Sequence, residues 1–273
     1  MAKLYYGHVV VDGHRIHYYR TADEKPPVVL LHGITDNGLC WSRLALQLES
    51  DYDVVMVDAR GHGLSTAPES GYTPEVQAGD VAALIQSLGL ERPALIGHSM
   101  GAATAAAVAA RYPEWIRGVV LEDPPWSDQL WLETAEQRVT RAEQMRAHIV
   151  ENKERTVEDL VQLCRGLHPA WDEGDLFQWA KSKHQVKMGI VAGLMEARSD
   201  WGATARQIRV PVLLVTGDPS LGAIVTPQIA QQVSKGWRRS SVAVIPGAGH
   251  NIRREQFDLY FDAVNHFLRS LRR

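Results

Sequence analysis

Short runs of apolar, mostly β-branched residues recur along the chain and predict the strands of a sheet. They cover residues 28–31, 54–57, 94–96, 119–121, 212–215 and 242–245. Ahead of them, residues 8–20 place an Asp12-Gly13 turn between two strand-like segments, which is typical of a β-hairpin. Strands buried on both faces read as continuous apolar runs, so the later six indicate parallel strands covered on both sides. The pattern therefore predicts an α/β fold with a mostly parallel eight-stranded sheet.

Amphipathic segments between these runs predict the flanking helices. They cover residues 41–48, 74–88, 100–111, 227–235 and 254–271. Pro74 and Pro227 each follow a threonine, an arrangement in which threonine caps the helix and proline takes its first position. The alternation stops over residues 124–206, where the sequence becomes charged and helical. We therefore predict a core domain of residues 1–123 and 207–273, with residues 124–206 inserted as a helical cap.

The predicted cap is rich in tryptophan. Five of the eight tryptophans of the chain lie in it: Trp126, Trp131, Trp171, Trp179 and Trp201. Most of these rings are expected to form the small core of the cap or its contact with the main domain. A cap above the strand ends must also turn an apolar side toward the cleft, so one or two of the rings should line a pocket. Trp126 is our candidate for contacting a substrate.

Composition and charge exclude several classes of function. The 273 residues have a formal net charge of −3, which gives no sign of a nucleic-acid partner. The first residues lack the pattern of a secretory signal, and no stretch approaches the ~18 apolar residues of a membrane span. Motifs for metal or dinucleotide binding are also missing from the sequence. We expect a cytoplasmic protein, monomeric or homodimeric, that uses no cofactor or metal and acts on a small molecule.

Residues 97–101 read Gly-His-Ser-Met-Gly, between an apolar run and an alanine-rich helical stretch. A serine hydroxyl attacks a carbonyl group when it is exposed on a sharp strand-to-helix turn, beside a base and amide donors. Glycines at both flanks permit such a turn. A serine that only caps the helix would fit the same junction, but it would not explain both glycines. Ser99 is therefore predicted to be a nucleophile, and His98 beside it is a second candidate for substrate contact.

Among the eleven histidines, His250 is the candidate base. It follows the apolar run 242–245 through a Pro-Gly-Ala-Gly loop, which can deliver an imidazole to the carboxyl edge of the sheet. In that position it would take the proton of Ser99 and return it to the leaving group. No other histidine combines such a loop with this place in the chain order.

Four segments in this order resemble the α/β-hydrolase fold family, and the resemblance covers nearly the whole chain outside the predicted cap. The segments are residues 31–34, 58–65, 97–101 and 247–250. The resemblance implies a serine hydrolase of the esterase or lactonase type, with Ser99 as nucleophile and His250 as base. It also implies an oxyanion hole made of the backbone amides of Ile34 and Met100.

The acid that orients the histidine has two candidate positions. The usual family position, in the loop after the 212–215 run, is Ser220 here, which leaves Asp218 as a substitute in a shifted loop. A second family position, after the strand that follows the serine helix, falls on Asp123. We favour Asp123, because Asp218 stands close to the strand end and precedes a proline. Strand alternation points the neighbouring Glu122 the other way.

These residues predict hydrolysis of a carboxylic ester or lactone through an acyl-enzyme. The tryptophans favour a medium-sized, partly apolar or aromatic substrate, because their faces stack on rings and exclude water. The same residues would also serve carbon–carbon bond hydrolysis of a diketone, and the motifs do not separate the two reactions. A ligand receptor that retained the site under a closing lid is the alternative from another class, and slow single-turnover cleavage would identify it.

Overall fold

The structure, a computed structural model, describes residues 4–21, 24–128, 132–196 and 199–272. Its centre is a sheet of eight strands: β1 (Tyr5–Val11), β2 (His14–Arg20), β3 (Pro27–Leu31), β4 (Asp53–Val57), β5 (Ala94–His98), β6 (Gly118–Glu122), β7 (Val212–Thr216) and β8 (Ser240–Val244). The strand order is β1-β2-β4-β3-β5-β6-β7-β8. The β1–β2 and β2–β4 pairs are antiparallel and the others are parallel. The mostly parallel sheet predicted from the sequence is confirmed, but the edge strand β8 is largely exposed instead of covered on both sides.

Eleven α-helices of the described residues lie between and after the strands along the chain. They are α1 (Ser42–Leu48), α2 (Pro74–Ser87), α3 (Met100–Arg111), α4 (Ala135–Glu154), α5 (Val157–Leu167), α6 (Glu173–Gln185), α7 (Ile190–Met195), α8 (Trp201–Gln207), α9 (Pro227–Ser234), α10 (Ile252–Glu255) and α11 (Phe257–Ser270). Among these described helices, none is both long and apolar enough to cross a membrane.

Local chemistry explains where several elements begin and end. Asp12 and Gly13 have φ angles of 47° and 79°, the positive values that a two-residue turn between β1 and β2 needs. The Thr73 and Thr226 side chains cap α2 and α9 by accepting hydrogen bonds from backbone amides, and proline follows each of them. The helix predicted over residues 254–271 is divided instead, because Gln256 takes a non-helical conformation between α10 and α11.

Alternation along the strands supplies one apolar layer to each face of the sheet. Val29 and Leu31 of β3 join a buried cluster with residues of α2 and α3. Val28 and Leu30 of the same strand join a second cluster with residues of α1 and α11. Successive side chains of a strand point to opposite faces, so one run of apolar residues anchors helices on both sides. The two layers fix the carboxyl ends of β3, β5 and β6 next to one another.

Helices α4 to α7 lie between β6 and β7 in the chain and have apolar clusters of their own. One of these clusters includes Tyr72 together with residues of α4 and α7, and another lies between α5 and α6. Helix α8 packs against α3, and its Ala205 belongs to the buried cluster of the main sheet. The division into a core of residues 1–123 and 207–273 and a cap of residues 124–206 stays a prediction.

Candidate active site

Ser99 lies on a strained turn between β5 and α3. Its φ and ψ angles are 50° and −114°, a conformation that costs a residue with a side chain about 1–3 kcal/mol. A Cβ atom on Gly97 would overlap the Gly101 carbonyl, and one on Gly101 would overlap the Leu31 carbonyl. Both flanking glycines are therefore required for the close passage of the backbone, as their positions in the sequence indicated.

A cavity of about 220 Å³ opens beside this turn, and Ser99 is among its lining residues. Trp126 and Trp201 line it and stack on each other, with ring centroids 5.8 Å apart. Trp171 and Trp179 lie in the separate cluster between α5 and α6. Trp131 lies outside the described residues. Two tryptophans thus give the cavity an apolar, aromatic wall, in agreement with the one or two rings predicted from the sequence.

His250 and Asp123 are joined by a short hydrogen bond. The His250 Nδ1 atom donates to Oδ2 of Asp123 over 2.6 Å. The carboxylate is fully buried, and it also accepts from the backbone amides of Ile224 and Val225 over 2.8 and 2.9 Å. With the proton on Nδ1, the histidine keeps Nε2 free to accept a proton. The arrangement is the one needed for a general base held in a single tautomer by a fixed acid.

The other two carboxylates weighed for the orienting role lie elsewhere. Asp218 is exposed and accepts from the backbone amide of Ser220 over 2.8 Å within its own loop. Glu122 is buried and accepts from the backbone amide of Arg253 over 3.0 Å. Burial raises the pKa of Glu122, and the nearby Arg253 only partly opposes that shift. Among the three candidates, the structure brings Asp123 to the histidine.

His98 lies behind the cavity instead of lining it. The side chain is buried, its Nε2 atom donates to the backbone carbonyl of His250 over 3.0 Å, and the two rings are 4.8 Å apart. Burial and the charge of Arg253 hold the pKa of His98 well below its usual value, so the ring is neutral. The structure thus gives His98 a contact with the candidate base, where the sequence suggested contact with a substrate.

The amides proposed for the oxyanion hole border the same cavity. Ile34 and Met100 both line it together with Ser99. Neither backbone amide has a hydrogen-bond acceptor among the described residues, and the first amides of a helix such as α3 have no partner inside it. A Cβ atom on Gly33 would lie 3.5 Å from that of Ser99, so this loop passes close to the serine. Two free donors beside one hydroxyl can stabilise a developing oxyanion.

Charged side chains that no motif indicated also line the cavity. Arg141 of α4 donates to Glu133 over 3.0 Å and to the Leu194 carbonyl over 3.1 Å. Glu196 accepts from the backbone amides of residues 71 and 72, and Glu75 accepts from the Ser199 hydroxyl over 2.6 Å. These residues come from separated segments without a local signature. Across the described ranges, no group of three or more potential metal ligands comes together.

A buried charge cluster lies behind the loop that carries Ile34. Asp36 accepts from Arg254 over 2.8 Å, from Lys183 over 3.2 Å and from Arg253 over 3.4 Å. All four side chains are at most 4% exposed. Burial raises the pKa of Asp36, but the three cations outweigh that effect and hold it well below its usual value. Asp36 is therefore the shared partner of three cations from α6 and α10, and Arg253 also contacts the Glu122 carboxylate over 3.4 Å.

Replacing Asp36 with Asn is expected to destabilise the fold by about 3–5 kcal/mol at neutral pH, because three buried cations would lose their shared counter-charge. The folded-state pKa of Asp36 is depressed, so its contribution is present above the unfolded value of about 3.9 and disappears as the pH falls. Urea unfolding of both proteins from pH 7 down to 3 should show the difference shrinking. Asp51→Asn, which removes an exposed ion pair with Arg272 at 3.8 Å, serves as control and should cost at most about 1 kcal/mol.

A strained serine turn and a histidine bonded to an acid, with serine and acid at the ends of the neighbouring strands β5 and β6, are typical of an α/β hydrolase. The family model of the alpha/beta hydrolase fold matches residues 26–253, and the chain belongs to this family. The 2-(acetamidomethylene)succinate hydrolase of Mesorhizobium japonicum is 30% identical over 89% of this chain and 88% of that protein. The N-formylmaleamate deformylase of Pseudomonas putida is 28% identical over 96% of each chain.

The likeness extends to three-dimensional structure. The crystal structure of an E-2-(acetamidomethylene)succinate hydrolase superposes with a TM-score of 0.82 at 24% identity. The match covers 98% of this chain and 100% of that one. The two chains therefore share a common fold.

Proposed function

We propose that this chain is a serine hydrolase that cleaves a carboxylic ester or lactone through an acyl-enzyme. The observation that carries the proposal is the hydrogen bond between His250 and Asp123, made at the same sheet edge as the strained Ser99. A buried acid held by two backbone amides is well suited to orient the imidazole and to stabilise its protonated form, which supports the proposal.

In the proposed reaction, His250 Nε2 takes the proton of the Ser99 hydroxyl as the oxygen attacks the substrate carbonyl carbon. The amides of Ile34 and Met100 donate to the oxyanion, and each such donor is worth roughly 3 kcal/mol in the transition state. The protonated His250 then gives its proton to the leaving oxygen, and the acyl group stays on Ser99. Water deprotonated by His250 attacks the acyl-enzyme and releases the acid.

The cavity supports a substrate of moderate size with an apolar or aromatic part. Its volume is about 220 Å³, and Trp126, Trp201 and Tyr72 are among its lining residues. Aromatic faces stack on rings and keep water from the reacting carbonyl, which strengthens the hydrogen bonds to the oxyanion. The charged groups at Arg141 and Glu196 lie on the same cavity and would select among polar substituents.

Amide cleavage is the second candidate, and the names of the relatives favour it. Both 2-(acetamidomethylene)succinate and N-formylmaleamate contain an acyl group on nitrogen, and each carries a carboxylate. An acyl-enzyme at Ser99 would form from such an amide by the same steps, with His250 protonating the departing nitrogen. Arg141 is the cation of the cavity that could attract a carboxylate, although Glu133 already accepts a hydrogen bond from it.

A substrate panel tests the reaction class. Aryl esters, aromatic lactones, N-acyl enamides with and without a carboxylate, and an aryl diketone are compared by kcat/KM, with Ser99→Ala as the background for each. We expect the highest values for esters and lactones. Preference for the enamides would establish the second candidate, turnover of the diketone alone would refute both, and a single turnover with every compound would indicate a receptor.

A further inference from the structure

Helix α6 of the predicted cap forms several hydrogen bonds with the loop that carries Ile34. The Lys183 ammonium donates to the Thr35 carbonyl over 3.0 Å, to the Thr35 hydroxyl over 3.0 Å and to Asp36 over 3.2 Å. An ammonium group has three donors, so this lysine uses all of them on two consecutive loop residues. The Ser182 hydroxyl lies 3.1 Å from the Thr35 carbonyl, but it shares its single proton with the nearer Trp179 carbonyl at 2.7 Å.

Further contacts hold the loop on both sides of this point. The backbone amide of Thr35 donates to His62 Nε2 over 3.3 Å, and the Asn37 side chain donates to Gln185 of α6 over 2.7 Å. Both peptide groups of Thr35 are therefore fixed, its amide by a histidine and its carbonyl by α6. Thr35 has a φ angle of +67°, a conformation that L-residues keep only when the surroundings impose it.

We infer that Lys183 is a positioning residue that sets the place of the Ile34 amide in the oxyanion hole, an inference that rests on the proposed function. Ile34 is joined directly to Thr35, so the fixed dihedral angles of Thr35 determine how the preceding residue faces Ser99. Without the lysine, the Thr35 carbonyl is left with the hydroxyl that Ser182 shares with the Trp179 carbonyl. The strained conformation can then relax and move the donor away from the oxyanion.

The same contacts couple α6 to catalysis. Lys183 is 3% exposed, and its ammonium lies 4.7 Å from the centre of the Trp179 ring on the same helix. A displacement of α6 would move the Thr35 carbonyl, because the Lys183 ammonium binds it directly. A shift of about 1 Å in a catalytic group can lower the rate about 10²-fold. The position of this helix thus regulates the oxyanion hole without touching the substrate.

The Lys183→Met substitution in the full-length protein tests the inference, with p-nitrophenyl butyrate as substrate. Methionine fills similar volume, and Asp36 keeps Arg253 and Arg254, so folding is expected to survive, as checked by circular dichroism and thermal melting. We expect kcat to fall by about 10–10² while KM stays the same, because the lost interaction acts on the transition state. Lys183→Arg, which restores a donor to the loop, should recover part of the loss.

Lys181→Met is the matched control, since Lys181 lies on the same helix, is exposed, and has its ammonium 5.3 Å from the centre of the Phe177 ring. It should leave kcat and KM unchanged. Ser182→Ala removes a hydroxyl shared between the Thr35 and Trp179 carbonyls without changing charge, and it should lower kcat less than Lys183→Met does. If Lys183→Met does not fold, Lys183→Gln is measured in its place, and an unchanged kcat there overturns the inference.

Two outcomes separate this inference from the proposed function. If Lys183→Met raises KM at constant kcat, or changes neither, Lys183 does not position the oxyanion hole, although Ser99 can still be the nucleophile. If Ser99→Ala retains full activity toward the ester, the proposed function itself is wrong, and any loss in Lys183→Met then has another cause. Both variants are therefore measured in the same assay.

Discussion

Replacing Ser99 with Ala is expected to lower kcat toward an activated aryl ester by about 10⁶, because the atom that forms the acyl-enzyme is removed. The oxyanion hole and the cavity remain, so a residual rate above that in water should persist. Stability should change little, since the Ser99 side chain makes no capping hydrogen bond to α3. The loss would then be a loss of chemistry in a folded protein.

A fluorophosphonate probe provides the second readout for this variant. The probe should form a covalent adduct with Ser99 in the wild type, located by peptide mass spectrometry, and should not label Ser99→Ala. Ser199→Ala is the matched control, because Ser199 lines the same cavity but donates its hydroxyl to Glu75. It should be labelled like the wild type. If Ser99→Ala is still labelled and Ser199→Ala is not, Ser199 is the nucleophile.

The sheet was predictable from sequence because its central strands are buried on both faces. All five residues of each of β4, β5, β6 and β7 are buried, and each strand contains a continuous apolar run. The hairpin was predictable for a different reason, since Asp12 and Gly13 tolerate the positive φ angles of a tight turn. The break at Gln256 was not, because a single non-helical residue leaves the amphipathic pattern of the two flanking helices almost continuous.

At the site, local signals identified Ser99 and His250, which have a motif or a loop around them. The choice between the two acids depended on their positions relative to the family pattern. The contacts that fix Asp123 come from Ile224 and Val225, about a hundred residues further along the chain, and leave no local signal. His98 was assigned to the substrate because it adjoins the serine in sequence, but the sharp turn at Ser99 separates the directions of the two side chains.

The polar lining of the cavity had no signal at all in the sequence. Arg141 lies on α4 and Glu196 follows α7, and only the path of the chain between β6 and β7 brings them to the serine. Lys183 resembles any other lysine of a charged helix until its three acceptors are known. Residues that act through long-range contacts therefore require the structure, whereas residues embedded in a turn motif do not.

Asp123→Asn is expected to lower kcat by about 10⁴ while Asp218→Asn leaves it unchanged. An asparagine at 123 that faces Ile224 and Val225 with its oxygen presents its amide nitrogen to the histidine. His250 Nδ1 must then accept a hydrogen bond, which moves the proton to Nε2 and removes the base. At position 218 the carboxylate only accepts from Ser220 in an exposed loop, and asparagine can do the same.

Comparing kcat for the two variants at several pH values measures this difference, since hydroxide can partly replace the missing base in Asp123→Asn as the pH rises. The Asp123→Asn variant is expected to fold, because the backbone amides of residues 224 and 225 keep an acceptor. Thermal melting checks this expectation. If Asp218→Asn lowers kcat strongly while Asp123→Asn remains active, Asp218 in the exposed loop is the orienting acid. His250 would then have to leave its 2.6 Å contact with Asp123 during turnover, and the observed hydrogen bond would belong to a resting state.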